Sequence, residues 1–254
     1  MGTSGRIAAS LLVATGMAIL AAPGFAVDEV FQQTYPLPEG GAFQLQNVNG
    51  SVQVSGWERD EVEVYALKSG LQGHRDLQRV NIEVQARSDS VTVQTHYPSD
   101  EGVEVSVEYH IRVPRHVELR RVATVNGTVR VFGVEAVGEL RSVNGNIEVF
   151  DSAGRLSART TNGNVRMELH RLDTGGPLTV ETVNGSVVIA LPLDTDAELD
   201  LRSLNGDFRS ELPLTLQGSL GPRKVRGRLG LGGSPLRIRT VNGGIRVVTM
   251  RPTV

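Results

Sequence analysis

The sequence predicts an all-β protein, a parallel β-solenoid whose short strands stack coil upon coil. Three observations predict it. Asn-Gly recurs seven times along the 254 residues, apolar residues stand at fixed offsets from each Asn with the period of two of a strand, and there is no cysteine to staple a loop-rich fold.

The chain opens on a secretory pattern. Arg6 supplies a positive start, residues 7–22 form an apolar run, and Gly24, Phe25 and Ala26 make a small-x-small cleavage site. We read residues 1–26 as a signal peptide. A retained anchor helix is the alternative, but the run falls short of the ~20 apolar residues that span a bilayer. No cysteine follows it, so neither a lipidated N-terminus nor a disulfide framework is expected. Loss of residues 1–26 removes one arginine and no acid, so 25 of the 26 Lys+Arg remain against 28 Asp+Glu, a formal charge of −3. Such near-neutrality argues against general nucleic-acid binding, which draws on a basic field. No later segment reads as a membrane anchor, so none is expected after cleavage.

Residues 27–120 read as an N-terminal β region or cap. Pro36, Pro38, Gly40 and Gly41 mark a leader and turn at residues 27–41, followed by the first repeat at Asn49. Period-two runs occupy residues 61–67, 80–87, 90–96 and 103–113, and residues 74–79, free of breakers, allow a short helix. An irregular β cap here would shield the open end of a stack, where unpaired backbone invites association.

Residues 121–254 hold the other six repeats. The steps are Asn49-Gly50, Asn126-Gly127, Asn144-Gly145, Asn162-Gly163, Asn184-Gly185, Asn205-Gly206 and Asn242-Gly243, read as structural corners. From Asn126 on they are 18, 18, 22, 21 and 37 residues apart, the last gap holding a glycine-rich insertion at residues 214–234. Three residues after the Asn stand Val52, Val129, Ile147, Val165, Val187, Phe208 and Ile245. Five after it stand Val54, Val131, Val149, Met167, Ile189, Ser210 and Val247, and four before it Leu45, Val122, Leu140, Ala158, Val180, Leu201 and Ile238. Alternation puts these columns inside. Two before the Asn the column is Asn47, Thr124, Ser142, Thr160, Thr182, Ser203 and Thr240, small groups suited to hydrogen bonding with each other or with backbone at a bend. Asn tolerates the left-handed conformation and Gly has no Cβ penalty there, so the pair is expected to mark a sharp turn.

Two architectures satisfy these columns. In a solenoid, Asn-Gly is a corner and like residues stack about 4.8 Å apart. In a meander, it is the two-residue hairpin turn that this dipeptide favours. The like-on-like Asn column, which forms a ladder only when units stack in register, favours the solenoid.

The repeated TVNG followed by alternating Val, the opening NVNGSVQVSGW, the segment HIRVPRHVELR and the late GRLGLGGSPLRIRTVNGGI resemble the bacterial family of candidate adhesins with β-solenoid domains. The resemblance covers nearly all of the mature chain. It implies a right-handed parallel β-helix-like coil and an exported or envelope-associated protein, in a family whose members mostly have no demonstrated activity.

Chemistry-bearing residues are sparse. Polysaccharide lyases and hydrolases on parallel coils need paired carboxylates or an arginine base opposite a metal or acid, and the acids here form no such column. Asp194, Asp196 and Asp200 give an acidic run that lacks the Gly and terminal Glu of a calcium loop and reads better as turn chemistry. His74, His96, His110, His116 and His170 lack metal-ligand spacing, although His110 and His116 flank Pro114; surface histidines are expected. No GxSxG elbow occurs, and no cofactor or metal is expected. Trp57 is the single tryptophan, whereas Phe132 and Phe150 share a column and should stack, either exposed or under a loop.

The outward columns carry the one sharp binding expectation. Arg141, Arg159, Arg202 and Arg239 stand three before the Asn, interrupted by Glu181. Arg130, Arg166, Arg209 and Arg246 stand four after it, interrupted by Glu148. Stacked, they make guanidinium stripes able to hold phosphate or sulfate bidentately. They also fit an alternating-sign ladder that merely keeps a face soluble. The sequence thus points to a non-catalytic exported scaffold or adhesin-like binding protein of the cell envelope. Its partner would be an anionic envelope glycan or lipid, or another envelope protein. The alternatives are a glycan-processing enzyme on the same coil and an envelope-stress or assembly factor that pairs strand edges with a partner.

Overall fold

A computed structural model describes residues 18–20, 27–70, 74–98, 102–217, 221 and 223–250. The expected signal peptide lies outside them apart from Ala18–Leu20 (β1), which pairs antiparallel with Val27–Pro36 (β2). The described chain is β structure throughout, with one short helix.

Each alternating run becomes a strand. Ala42–Gln46 (β3) and Val52–Trp57 (β4) flank the first Asn-Gly step, and Glu61–Gly70 (β5) follows. The helical segment is His74–Leu77 (α1), within the expected 74–79. Asn81–Ala86 (β6), Ser90–His96 (β7) and Val105–Pro114 (β8) match the remaining period-two runs. The repeats then supply His116–Ala123 (β9), Val129–Phe132 (β10), Glu135–Arg141 (β11), Ile147–Arg159 (β12), Val165–Leu172 (β13), Leu178–Glu181 (β14) and Val187–Leu191 (β15). Ala197–Asn205 (β16), Phe208–Ser210 (β17), Leu214–Leu216 (β18), Lys224–Leu229 (β19), Ser234–Asn242 (β20) and Ile245–Thr249 (β21) complete the order.

Strands preceding the Asn form one parallel row with β7 at its end, in the order β7, β3, β9, β11, the end of β12, β14, β20, β16. Strands following it form a second with β8 at its end, in the order β8, β4, β10, the start of β12, β13, β15, β21, β17. Strand β12 serves both rows and bends at Asp151, whose φ of 48° is the one left-handed non-glycine value among the described residues. Register is like on like: Val129 pairs with Val52 and Ile147, and each Asn bridges the Asn of the next coil. The Asn-Gly steps therefore lie over one another and are not the tips of separate hairpins.

The expected core columns are buried from coil to coil, with two exceptions in one unit, where Phe208 is half-buried and Ser210 exposed. Each fully buried Val, Ile or Leu contributes roughly 1.5–3 kcal/mol relative to exposure.

Coil order departs from chain order at both ends. The rungs run Asn49, Asn126, Asn144, Asn162, Asn184, Asn242, Asn205, so the last unit in the chain slots between the fifth and the sixth. The first unit, β3 and β4, likewise lies between β7–β8 and β9–β10. The segment at 214–234, expected as an inserted loop or slack strand, supplies two regular strands at one end: β19 adds antiparallel to β16, and β18 to β19. At the other end β5 adds antiparallel to β8, β2 to β5, and β6 to β7. A parallel interior thus closes on antiparallel hairpins, which cover strand edges that would otherwise stand open.

Candidate functional site

The corners come first, because they set where the outward side chains fall. From Asn126 on, each Asn carboxamide donates to the Asn of the neighbouring coil, and the six bonds run 2.7–2.9 Å: Asn126 to Asn49, Asn144 to Asn126, Asn162 to Asn144, Asn184 to Asn162, Asn242 to Asn184 and Asn205 to Asn242. The buried small column beneath bonds to backbone and not to itself. Thr124, Ser142, Thr160, Thr182, Thr240 and Ser203 donate their hydroxyls to the carbonyls of Gly50, Gly127, Gly145, Gly163, Gly185 and Gly243 at 2.8–3.0 Å. From Gly127 on, that hydroxyl is the carbonyl's one hydrogen-bond donor among the described residues, so it satisfies a group that would otherwise stay unpaired.

The glycines are needed for a reason other than the expected one. No Asn of the seven has a positive φ, and of the glycines only Gly50 and Gly243 do, at 118° and 157°. A Cβ on Gly145, however, would sit 2.0 Å from the Gly127 carbonyl oxygen, and one on Gly163 2.1 Å from that of Gly145. Close approach between coils, and not a left-handed turn, fixes glycine at these positions.

Outward from the first row, three columns run side by side along the stack. The Asn ladder is one. Beside it, the residue preceding the Asn gives an apolar ridge, interrupted by Thr161 before Asn162, of Val125, Val143, Val183, Val241 and Leu204, each between 36% and 49% exposed. Beyond the ridge stands the expected stripe of Arg141, Arg159, Arg202 and Arg239. Ridge and stripe meet in an open groove of ≈ 490 Å³ lined by Val183, Leu204 and Val241 together with Arg159, Arg202, Arg223, Arg239 and Glu181. Four guanidinium groups there face one carboxylate.

Most of these arginines already have partners on the surface. Arg159 and Arg239 share Glu181, at 2.7 and 3.5 Å, Arg141 reaches Glu139 at 2.6 Å, and Arg202 holds Asp200 at 2.9 Å. The two hydrogen bonds from Arg202 keep the Asp200 carboxyl below the usual carboxylate range, with burial acting against them and the charges of Arg202, Arg226 and Lys224 adding to them. Arg223 has no ion pair among the described residues, so it is the groove's freest cation.

The second stripe lies on the other row and is not part of the groove. Arg130 pairs with Glu148 across coils at 2.8 Å, Arg166 with Glu168 at 2.6 Å and Arg209 with Asp207 at 3.1 Å, while Arg246 is exposed without an ion pair among the described residues. It is largely a ladder of alternating sign. Phe132 and Phe150 stack there at 5.5 Å, half-buried, with Arg166 over the Phe150 ring at 5.6 Å.

The remaining candidates are dispersed. His110 meets the edge of Tyr65, His96 pairs with Glu83, His170 with Asp151, and His116 lies between Glu39 and Glu135. Asp196 accepts from the Leu231 amide at 2.7 Å, the work of a turn residue. Among the described residues no three His, Asp or Glu gather as metal ligands. The apolar ridge and Arg223 went unremarked in the sequence. The ridge was readable there, since alternation from the inward small column turns the following residue outward; Arg223 follows a proline outside any repeat and left no signal.

A family model described as Toastrack DUF4097, a domain of unknown function, matches residues 37–248. Among solved structures, a candidate cell adhesion protein from Clostridium sporogenes is 11% identical, covering 87% of this chain and 100% of its own with a TM-score of 0.49. A candidate adhesin from Bacteroides fragilis is 10% identical, with 87% and 97% covered and a TM-score of 0.31. A candidate lipid binding protein from Parabacteroides distasonis is 7% identical, with the same coverage and a TM-score of 0.31. No curated protein matches.

Proposed function

The chain belongs to the Toastrack DUF4097 family, and from that premise we propose that it is a non-catalytic binding protein, exported to the cell envelope, that holds an anionic envelope lipid or glycan along one face of a right-handed parallel β-solenoid. The observation that carries this reading is the groove, in which Arg159, Arg202, Arg223 and Arg239 outnumber Glu181 beside exposed Val183, Leu204 and Val241. Guanidinium forks suit phosphate or sulfate, and the ridge offers apolar contact to whatever carries those groups. Repetition along the stack adds weak, evenly spaced contacts on a preorganised surface, so avidity would exceed any single contact.

The test uses residues 27–254 with two probes, phosphatidylglycerol vesicles and a soluble phosphate-bearing glycan polymer. Binding should be salt-sensitive and should fall by on the order of tenfold or more in the triple variant Arg159→Gln, Arg202→Gln, Arg239→Gln, as expected when charge-assisted contacts are lost. Val183→Ser with Val241→Ser should weaken vesicle binding more than glycan binding. Unchanged affinity in the arginine variant would reject the groove. Turnover of a purified envelope glycan, abolished by an acid-to-amide change, would overturn the non-catalytic assignment.

A further inference from the structure

We propose that Asn205-Gly206 is a site of spontaneous deamidation, and that the coil stacked on each of the other six Asn-Gly steps protects it from the same reaction. In this dipeptide the backbone nitrogen of the glycine, unhindered by any side chain on its own residue, can attack the preceding Asn Cγ. A C–N bond forms, the carboxamide leaves as ammonia, and one water then opens the resulting succinimide to aspartate or isoaspartate. Water is consumed and ammonia released, so the step needs no other reactant.

The attack requires a glycine nitrogen free of a hydrogen bond and an Asn side chain free to swing over it. Six steps fail the first requirement. The amides of Gly50, Gly127, Gly145, Gly163, Gly185 and Gly243 each donate to the Asn carbonyl of the next coil at 2.8–3.0 Å. From Asn126 to Asn242 the side chains fail the second as well, since each carboxamide both donates to one neighbour and accepts from the other.

Asn205 is the last rung. Among the described residues no coil lies beyond it, so the Gly206 amide has no acceptor there, and the Asn205 carboxamide makes a single bond, to Asn242 at 2.8 Å. Gly206 is exposed, whereas the other six glycines are half-buried. Stacking thus turns seven chemically equal dipeptides into one reactive step and six protected ones. Conversion would also undo its own rung, because the carboxamide that donates to Asn242 becomes a carboxylate facing that same carbonyl oxygen. Isoaspartate would further lengthen the backbone just where β16 passes into β17.

The folded protein is held at mildly alkaline pH and mapped by peptide mass spectrometry over time, with isoaspartate assayed separately. The tryptic peptide 203–209 carries Asn205 alone and 160–166 carries Asn162. Asn205 should convert at least about tenfold faster than Asn162, which must first break its hydrogen bonds by local opening. In denaturant the two should convert at similar rates, and Asn205→Gln should remove the fast signal from the folded protein. Equal rates in the folded state would overturn the proposal. So would an Asn205 that stays intact over a period in which the denatured chain converts.

Discussion

At each corner one hydroxyl and one missing side chain hold neighbouring coils together. Thr160 donates to the Gly145 carbonyl, and no other described donor reaches that oxygen, so Thr160→Val keeps the shape and leaves a half-buried acceptor without its partner. The expected cost is about 1–3 kcal/mol, read as a lower urea midpoint at unchanged slope. Gly163→Ala places a methyl group 2.1 Å from the same Gly145 oxygen, and neither coil can retreat without stretching its ladder. It should cost at least as much, about 1–3 kcal/mol or more. If the alanine variant were as stable as the parent, the close-approach account of these glycines would fail. Sequence alone left the small polar column to bond with itself or with backbone at a bend, and the hydroxyls take the backbone. It misread the glycine because Asn-Gly serves a left-handed turn and a tight backbone approach equally well, and only the distance between coils separates the two.

At the scale of elements, parity along a strand made the interior legible. Alternation puts three apolar columns inside, and the two departures fall together in β17, at Phe208 and Ser210. That coincidence is itself informative, since β17, unlike β16 of the same unit, has a partner strand on a single side among the described residues. The antiparallel pairings were not legible, because β19 carries no Asn-Gly mark. Its register sets Arg226 opposite Asp200 and Lys224 opposite Arg202, and gives Asp200 two further cations beyond Arg202. The folded carboxyl titrates below its unfolded value of about 4. Its contribution is therefore fully present above about pH 4 and is lost as pH falls through the lower folded value. Asp200→Asn should flatten the acid limb of the stability curve below about pH 4 while lowering stability near neutrality. Parallel acid limbs for the two proteins would argue that the Asp200 cluster contributes nothing to folding.

For the whole molecule, the order of coils matters more than their number. Identical columns let any unit sit on any other, so the spacing of 37 residues between Asn205 and Asn242 read as a loop between successive coils. The chain instead lays down β16 and β17 as the terminal coil, turns back through β18 and β19, and fills the space left beneath with β20 and β21. In a stack built in chain order, losing the last unit would trim one end and leave the rest paired. Here, losing residues 234–254 would unpair β14 and β15 on one side and β16 and β17 on the other, and would open the core at Val180, Ile189 and Leu201. Truncation after Gly233 should therefore remove cooperative unfolding and promote aggregation through the exposed edges, followed by circular dichroism and light scattering. A synthetic peptide of residues 234–250 supplied in trans should restore the transition, because both walls of its slot are parallel strands awaiting a partner. A truncated chain that unfolds cooperatively without the peptide, only slightly less stable than the parent, would mean that the last unit lies at the end of the stack after all.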